Sequence, residues 1–399
     1  MSDDLFLILT FQAGYNTSAV LAGVLALGIG GGVVGVFSFL RKRALISDAI
    51  SHATLPGIGL AFLIGIAAGG TGRDLPLLMI GAAATGAAGI LAVQWIRDHT
   101  RLPEDTAIGT VLSVFFGLGI VLLTLIQTLE TGGQAGLSSF LLGSTAAMTA
   151  NEAWLIGGAS AVTVIAGIAL MKEFGAVAFD EGFAAAQGWR ISLLDIAMLA
   201  LLLAIVAIGL KTVGLILIIA LVIIPPAAAR FWTERLGKMV GLSALFGGLS
   251  GWVGGGLSAL LPNMPAGSVI VLTAGTIFAI SLICAPRRGV LTWQVRRWRH
   301  RLNAAEHRGL LAVSNGLLPR DRLDRWTVWA KRYVGPQGRV TDRGASAAAN
   351  AARQERLWAA YRARYPDAPV QFNPLTGLRI EDVLPADEVA TLEDGLSGK

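Results

Sequence analysis

Ala44-Leu45-Ile46-Ser47-Asp48-Ala49-Ile50-Ser51-His52-Ala53-Thr54-Leu55-Pro56-Gly57 opens an apolar run that continues to residue 67. A helix needs about 20 such residues to cross the hydrocarbon of a bilayer, and this run supplies them. It also carries an acid and a histidine four positions apart, so one helical face presents both, about one turn from each other. At a rise of about 1.5 Å per residue they lie roughly 6 and 12 Å past Ala44. Ionisable groups at such depth are costly and by default mark an ion path or a buried partner. A carboxylate and an imidazole at this spacing can chelate one divalent cation. Pro56 and Gly57 should then break the helix on the same face, where freed carbonyls could line a cavity. Two plainer readings stand beside this one. Ser47 or Asp48 caps a helix that starts after the basic turn, with Arg43 as ion partner; or His52 is a hydrogen-bonded histidine in a helix interface. The chemistry of the stretch leaves all three open.

The composition of the whole chain supports a membrane setting. Of 399 residues, 54% are hydrophobic and 15% charged, and mean hydropathy is +0.64, whereas an ordinary globular domain is about a quarter charged. That balance excludes a soluble enzyme, a disordered tail and a fibrous protein. The single Cys284 excludes a disulfide framework and a thiolate metal cluster. Apolar runs predict spans near 17–40, 44–67, 75–96, 106–127, 153–171, 192–209, 212–229, 239–260 and 268–285. Residues 5–13 and 137–150 are apolar but short, and read as interfacial or re-entrant pieces. The expected fold class is all-α, a polytopic protein of about eight or nine transmembrane helices. Gly28-Ile29-Gly30-Gly31-Gly32 and Gly254-Gly255-Gly256 lie inside apolar runs, where small residues let helix backbones approach. The chain has no Gly-x-x-x-x-Gly-Lys-Ser/Thr, so it binds no ATP through a P-loop of its own.

Charge sets the expected orientation and a domain boundary. Arg41, Lys42, Arg43, Arg97, Arg101, Lys172, Arg190, Arg230, Arg235 and Lys238 fall in one set of loops, and only Arg73 and Lys211 in the other. The positive-inside rule then puts the N-terminus outside and the C-terminal segment in the cytoplasm. The acidic start, Met1-Ser2-Asp3-Asp4, lacks the basic flank of a secretory signal, and no cleavage is expected. Residues 1–285 carry 12 Lys/Arg against 14 Asp/Glu, whereas residues 286–399 carry 20 against 12. A membrane domain over 1–286 and a small basic cytosolic domain over 287–399 follow.

The stretch Arg43 to Gly57 closely resembles the signature of the zinc/manganese/iron ABC-importer permease family. Glu104-Asp105-Thr106-Ala107-Ile108-Gly109, Ala178-Phe179-Asp180-Glu181-Gly182-Phe183-Ala184 and Val213 through Arg230, with Pro225-Pro226, fit the same family in the same order. The likeness runs over about residues 10–285; Ser47 stands where many members have Gly. The resemblance implies a permease dimer, of two copies or of one copy with a related permease. It implies two cytoplasmic ATPase subunits and an extracytoplasmic metal-binding protein as partners, in a plasma membrane. Asp48 and His52 match the residues implicated in metal passage. Two facing protomers would supply two carboxylates and two imidazoles, a set that suits Mn(II), Fe(II) or Zn(II). The metal is cargo; no permanently bound cofactor is implied, and ATP hydrolysis would belong to a separate chain.

Asp180 through Trp189 falls in a predicted cytoplasmic loop. Asp180 is a good N-cap and Gly188 a good helix stop, with about two turns between them. Phe179 and Phe183 sit four apart and form an aromatic edge. Such a helix could lie on the headgroups; by resemblance it is the coupling helix that docks in the ATPase. Docking is favoured, because a permease without its own P-loop must receive the power stroke somewhere.

The basic segment opens Arg296-Arg297-Trp298-Arg299-His300-Arg301, which suits anionic lipid headgroups. Helices are expected near 303–317 and 319–332, then a turn at Gly335-Pro336-Gln337-Gly338 and a long helix from about Ala345 to Arg364. This order resembles the winged-helix region of iron-dependent repressors, locally at Val340 to Gly344 and Arg353 to Trp358, so a winged-helix-like α(+β) domain is expected. Glu355 stands where those repressors have a metal-binding His, and their following Glu aligns with Ala359, which speaks against a metal sensor. A domain tethered below a membrane is badly placed to read DNA, so a regulatory or docking role is expected. Two other functions compete with metal import by an ABC permease. One is a membrane-tethered metal-responsive regulator; the other is a proton-coupled secondary transporter working through Asp48 and His52.

Overall fold

The computed structural model describes residues 2–12, 14–70, 72, 74–128, 148–260, 264–366 and 379–397. The chain divides into two compact units, 1–289 and 290–399.

In the first unit a short helix α1 (Ser2–Leu9) precedes α2 (Tyr15–Leu40), α3 (Ala44–Ala67), α4 (Leu75–His99) and α5 (Glu104–Gln127). Then come α6 (Ala150–Ala169), α7 (Met171–Phe179), α8 (Glu181–Ala186), α9 (Ile191–Val213), α10 (Leu215–Trp232), α11 (Leu236–Leu260) and α12 (Ala266–Cys284). Among the described residues nine helices are long and apolar enough to span a membrane: α2 to α6 and α9 to α12. The protein is thus a polytopic, nearly all-helical membrane protein. The apolar piece at 5–13 overlaps α1, whose Leu9 carbonyl accepts from the Trp252 indole N–H at 3.2 Å. The piece at 137–150 lies almost wholly outside the described residues.

Local signals explain the boundaries. Thr149 and Glu152 exchange side chain–backbone bonds in a capping box that starts α6, satisfying two orphan donors. Gly214, at φ 82°, separates α9 from α10, a backbone value that costs a residue with a Cβ. Helices α2 and α3 are central, and their side chains Val24, Leu27, Val34, Ile46 and Ile50 join Leu202, Ile205, Ile218 and Leu221 from α9 and α10 in one core. The outer helices turn apolar side chains outward, for example Val114 and Val121 on α5 and Ile165 on α6. That is an expected surface for a chain solvated by lipid.

One expectation for α3 is corrected. Pro56 and Gly57 do not break the helix, which runs through both. Pro56 removes only the donor that the His52 carbonyl would have in a regular helix, and Gly57 is spent on packing against α4.

The second unit holds α13 (Val290–Ser314), α14 (Arg322–Ala330), α15 (Asp342–Arg364) and α16 (Ala386–Ser397), with one 3-10 turn at Ile380–Asp382. Its interior has two clusters. Leu310, Val313, Val328, Tyr333, Val334 and Ala348 form one; Leu357, Trp358, Tyr361, Ile380, Val389 and Leu392 form the other. The first helix begins thirteen residues before the expected 303, because the Arg/Trp stretch has no Pro or Gly to stop it and is itself helical. The helix–helix–turn–helix order is present, but the β part of a winged helix is not. Among the described residues β pairing is limited to a single antiparallel bridge, Val334 to Val340, across the Gly335–Gly338 turn. The winged-helix expectation is therefore not confirmed.

Candidate metal-passage site

Asp48 is neither an N-cap nor a partner of Arg43. Helix α3 starts at Ala44 with Arg43 at the cap position and no side-chain cap bond, so Asp48 is already in its second turn. From Ile46 to Gly59 every residue of α3 is buried except Asp48 and His52. Their side chains are 33% and 19% exposed, which makes them the two open points on a closed helix face. His52 Nε2 lies 3.3 Å from Asp48 Oδ1, and the His52 ring packs edge-on against Phe116 of α5, centroids 4.8 Å apart. His52 Nδ1 is buried without a hydrogen-bond partner among the described residues. Among the described residues the imidazole is held by the Phe116 ring and by Asp48.

The separation of the two atoms has a chemical consequence. Metal–N and metal–O bonds are about 2.1 Å, so atoms 3.3 Å apart can bind one ion with an angle of about 100° at the metal, between the tetrahedral and octahedral values. By separation alone the pair is compatible with one shared ion. Two ligands do not complete a coordination sphere, and among the described residues no cluster of three or more His, Cys, Asp or Glu occurs.

The α7–α8 corner carries the other predicted residues. Asp180 caps α8, its Oδ1 accepting from the Phe183 N–H at 2.9 Å, and Gly188 follows the helix at φ 86°. Phe179 and Phe183 are 62% and 57% exposed. One aromatic ring ends α7 and the other lies on the short capped α8, and both are left open.

Sequence reasoning missed a third group. Asp195, near the start of α9, is 2% exposed and takes three arginines. Arg41 Nη2 donates to both of its oxygens at 2.9 Å, Arg43 Nη1 to Oδ2 at 3.0 Å, and Arg97 Nη1 to Oδ2 at 3.3 Å. Arg41 also donates to the Val177 carbonyl at 2.9 Å and pairs with Glu181 of α8. Arg43 Nε lies 2.5 Å from Glu104 of α5. The available signal is that Asp195 is the lone acid in the apolar run Ile191–Val213.

Residues 14–285 match the model of the ABC 3 transport family. The chain is 43% identical over 299 residues to the manganese transport system membrane protein MntC of Bacillus subtilis, covering 75% of this chain and 67% of that one. It is 39% identical over 286 residues to the zinc transport system membrane protein TroC of Treponema pallidum, covering 71% and 94%. Among solved structures it is similar to PsaBC from Streptococcus pneumoniae in complex with Fab, with a TM-score of 0.63, 30% identity, and 74% and 100% coverage.

Proposed function

Because this chain belongs to the ABC 3 transport family, we propose that it is the membrane-spanning permease subunit of an ATP-binding-cassette importer for a divalent transition metal, Mn(II), Zn(II) or Fe(II). The observation that carries the reading is the Asp48–His52 pair, open on an otherwise buried helix and spaced to share one ion. The pair supplies two ligands, and a second permease copy, or a related permease, presenting the same pair would bring the set to four, a number that divalent transition metals accept. Hard carboxylate and borderline imidazole suit all three ions.

The permease carries cargo and performs no hydrolysis. Separate ATPase subunits would dock on Phe179 and Phe183 at the cytoplasmic side, with Asp180 holding α8 in shape, and a metal-binding protein would deliver the ion from outside. The orientation is N-terminus outside and residues 290–399 in the cytoplasm, as the Arg/Lys asymmetry requires.

Helix α13 supports a lipid contact for the second unit. Leu291, Val295, Trp298 and Leu302 recur at helical spacing, and the first three are exposed. Arg296, Arg297, Arg299 and Arg301 lie off this stripe, and Arg297 stacks over Trp293 at 5.1 Å. An apolar stripe bordered by arginines suits an anionic membrane surface, and only residues 285–289 separate this helix from α12. The unit regulates or docks and does not read DNA.

The test is ATP-dependent uptake. Proteoliposomes holding the permease with its ATPase and binding protein should accumulate metal only with ATP. Uptake driven by a proton gradient without ATP would instead support a secondary transporter.

A further inference from the structure

We infer that Asp195 is a positioning residue for transport: it joins the ATPase-facing α7–α8 corner to the first turn of α3, the helix that bears Asp48 and His52. This rests on the reading of α8 as the ATPase contact. Six segments meet at the one carboxylate or its partners. Arg41 comes from the α2–α3 turn and reaches Val177 of α7, Glu181 of α8 and Asp195 of α9 at once. Arg43, the cap of α3, joins Asp195 to Glu104 at the start of α5. Arg97 brings the last turn of α4 to the same carboxylate.

Three arginines meet three acids at this junction, and Arg97 also holds its neighbour Asp98 at 2.8 Å. Arg41, Arg43 and Arg97 face Asp195, Glu181 and Glu104. Side chains of Arg41, Arg43 and Asp195 are 5%, 6% and 2% exposed, so water is poorly placed to replace a lost partner. Breaking one buried pair strands the other charge at high cost. Glu181 is 57% exposed, so a displacement of the α7–α8 corner is transmitted chiefly through the buried Val177, whose carbonyl holds Arg41, and from Arg41 to Asp195. The receiving end is close to the cargo site: Asp48 follows Arg43 by five residues, about 7 Å along the helix axis. Arginine suits this post because its planar fork can hold two carboxylates and a carbonyl together, which a lysine ammonium cannot do with the same geometry.

Two variants, assembled with the ATPase in proteoliposomes, test the inference. Asp195→Asn keeps the shape and loses the charge; Arg41→Lys keeps the charge and loses the fork. Each should still co-purify with the ATPase and hydrolyse ATP, while metal transported per ATP hydrolysed falls about ten-fold, the scale of a lost coupling element. A group that only holds the fold together would lower assembled complex and leave that ratio alone. Should Asp195→Asn fail to insert, Arg41→Lys decides the matter. An unchanged ratio in assembled complexes, or transport and hydrolysis falling in equal proportion, would overturn the inference. A separate arm guards the premise. If Phe183→Asp leaves ATPase co-purification intact, the docking reading of α8 fails. If it releases the ATPase while the two variants keep their ratio, only the role of Asp195 fails.

Discussion

Gly57 of α3 and Gly81 of α4 meet backbone to backbone, each lying where a Cβ on the other helix would strike its carbonyl oxygen. Gly28 of α2 and Gly247 of α11 do the same. Close approach of this kind is how helices associate where lipid provides no hydrophobic drive. The obstacle is main chain, which cannot step aside as a flexible side chain can. Gly57→Ala should therefore part α3 from α4 and cost about 1–3 kcal/mol. A lowered thermal midpoint of the purified permease in detergent checks it; Gly109→Ala, where a Cβ meets open space, should leave the midpoint unchanged.

Much of this architecture was legible in the sequence, and the reasons differ by element. The spans were readable because each shows as an unbroken apolar run; the predicted break between α9 and α10 is at Lys211, and the observed one lies three residues later, at Gly214. The Asp48–His52 pair was readable because ionisable groups in such a run stand out. Asp195 was passed over because its meaning lies in Arg41, Arg43 and Arg97, which are 154, 152 and 98 positions away. No periodicity reports a contact of that range. The persistence of α3 through Pro56 was also hidden, since neighbouring helices and not the local sequence decide whether a proline ends a membrane helix. In the second unit, local order suggested a wing that the bridge at Val334–Val340 does not extend into strands.

Asp48→Ala and His52→Ala should each abolish metal uptake while insertion and dimer assembly stay intact. Neither side chain is fully buried, and removal of either leaves no unpaired charge in the core. Uptake of radioactive Mn(II) or Zn(II) by proteoliposomes is the measurement. Wild-type rates in both variants would remove the pair from the pathway.

Phe183→Asp should weaken ATPase binding about thirty-fold or more, the effect of losing one aromatic anchor worth about 2 kcal/mol or more. Phe183 is more than half exposed, so the fold tolerates the change. Co-purification of the ATPase, together with metal affinity at the membrane site, separates loss of docking from loss of the metal site.

Arg41 and Asp195 should show strong coupling in a double-mutant cycle. Asp195→Ala alone removes the buried carboxylate that three arginines share, leaving them only the more exposed Glu181, Glu104 and Asp98, and should cost about 3 kcal/mol. Arg41→Ala alone leaves Asp195 with Arg43 and Arg97 and should cost less. The double variant should be more stable than the sum of the two single losses predicts. Thermal unfolding of the four proteins in one detergent gives the cycle; simple additivity would mean that the two groups act independently.

The second unit should lose stability in mild acid through Glu381. Burial opposes ionisation of this carboxyl, yet its own backbone N–H, Gln354 and Arg353 outweigh burial and hold it below the usual 4.5. A folded value below the unfolded one adds stability that is fully present above about pH 4.5 and is lost as the pH falls through the folded value. Gln354 is central to the arrangement. It donates to the two Glu381 oxygens at 3.1 and 2.8 Å, and its Oε1 accepts from the buried Ile380 N–H at 3.0 Å. Gln354→Leu removes both contacts and strands that N–H, at a cost of about 1–3 kcal/mol at neutral pH. It should also flatten the acid dependence, because Glu381 then keeps fewer groups that favour its charged form. Limited proteolysis of the full chain, following protection of residues 290–366 from pH 7 to pH 3, measures both effects. Equal acid sensitivity in the wild type and in Gln354→Leu would show that Glu381 gains nothing from the amide.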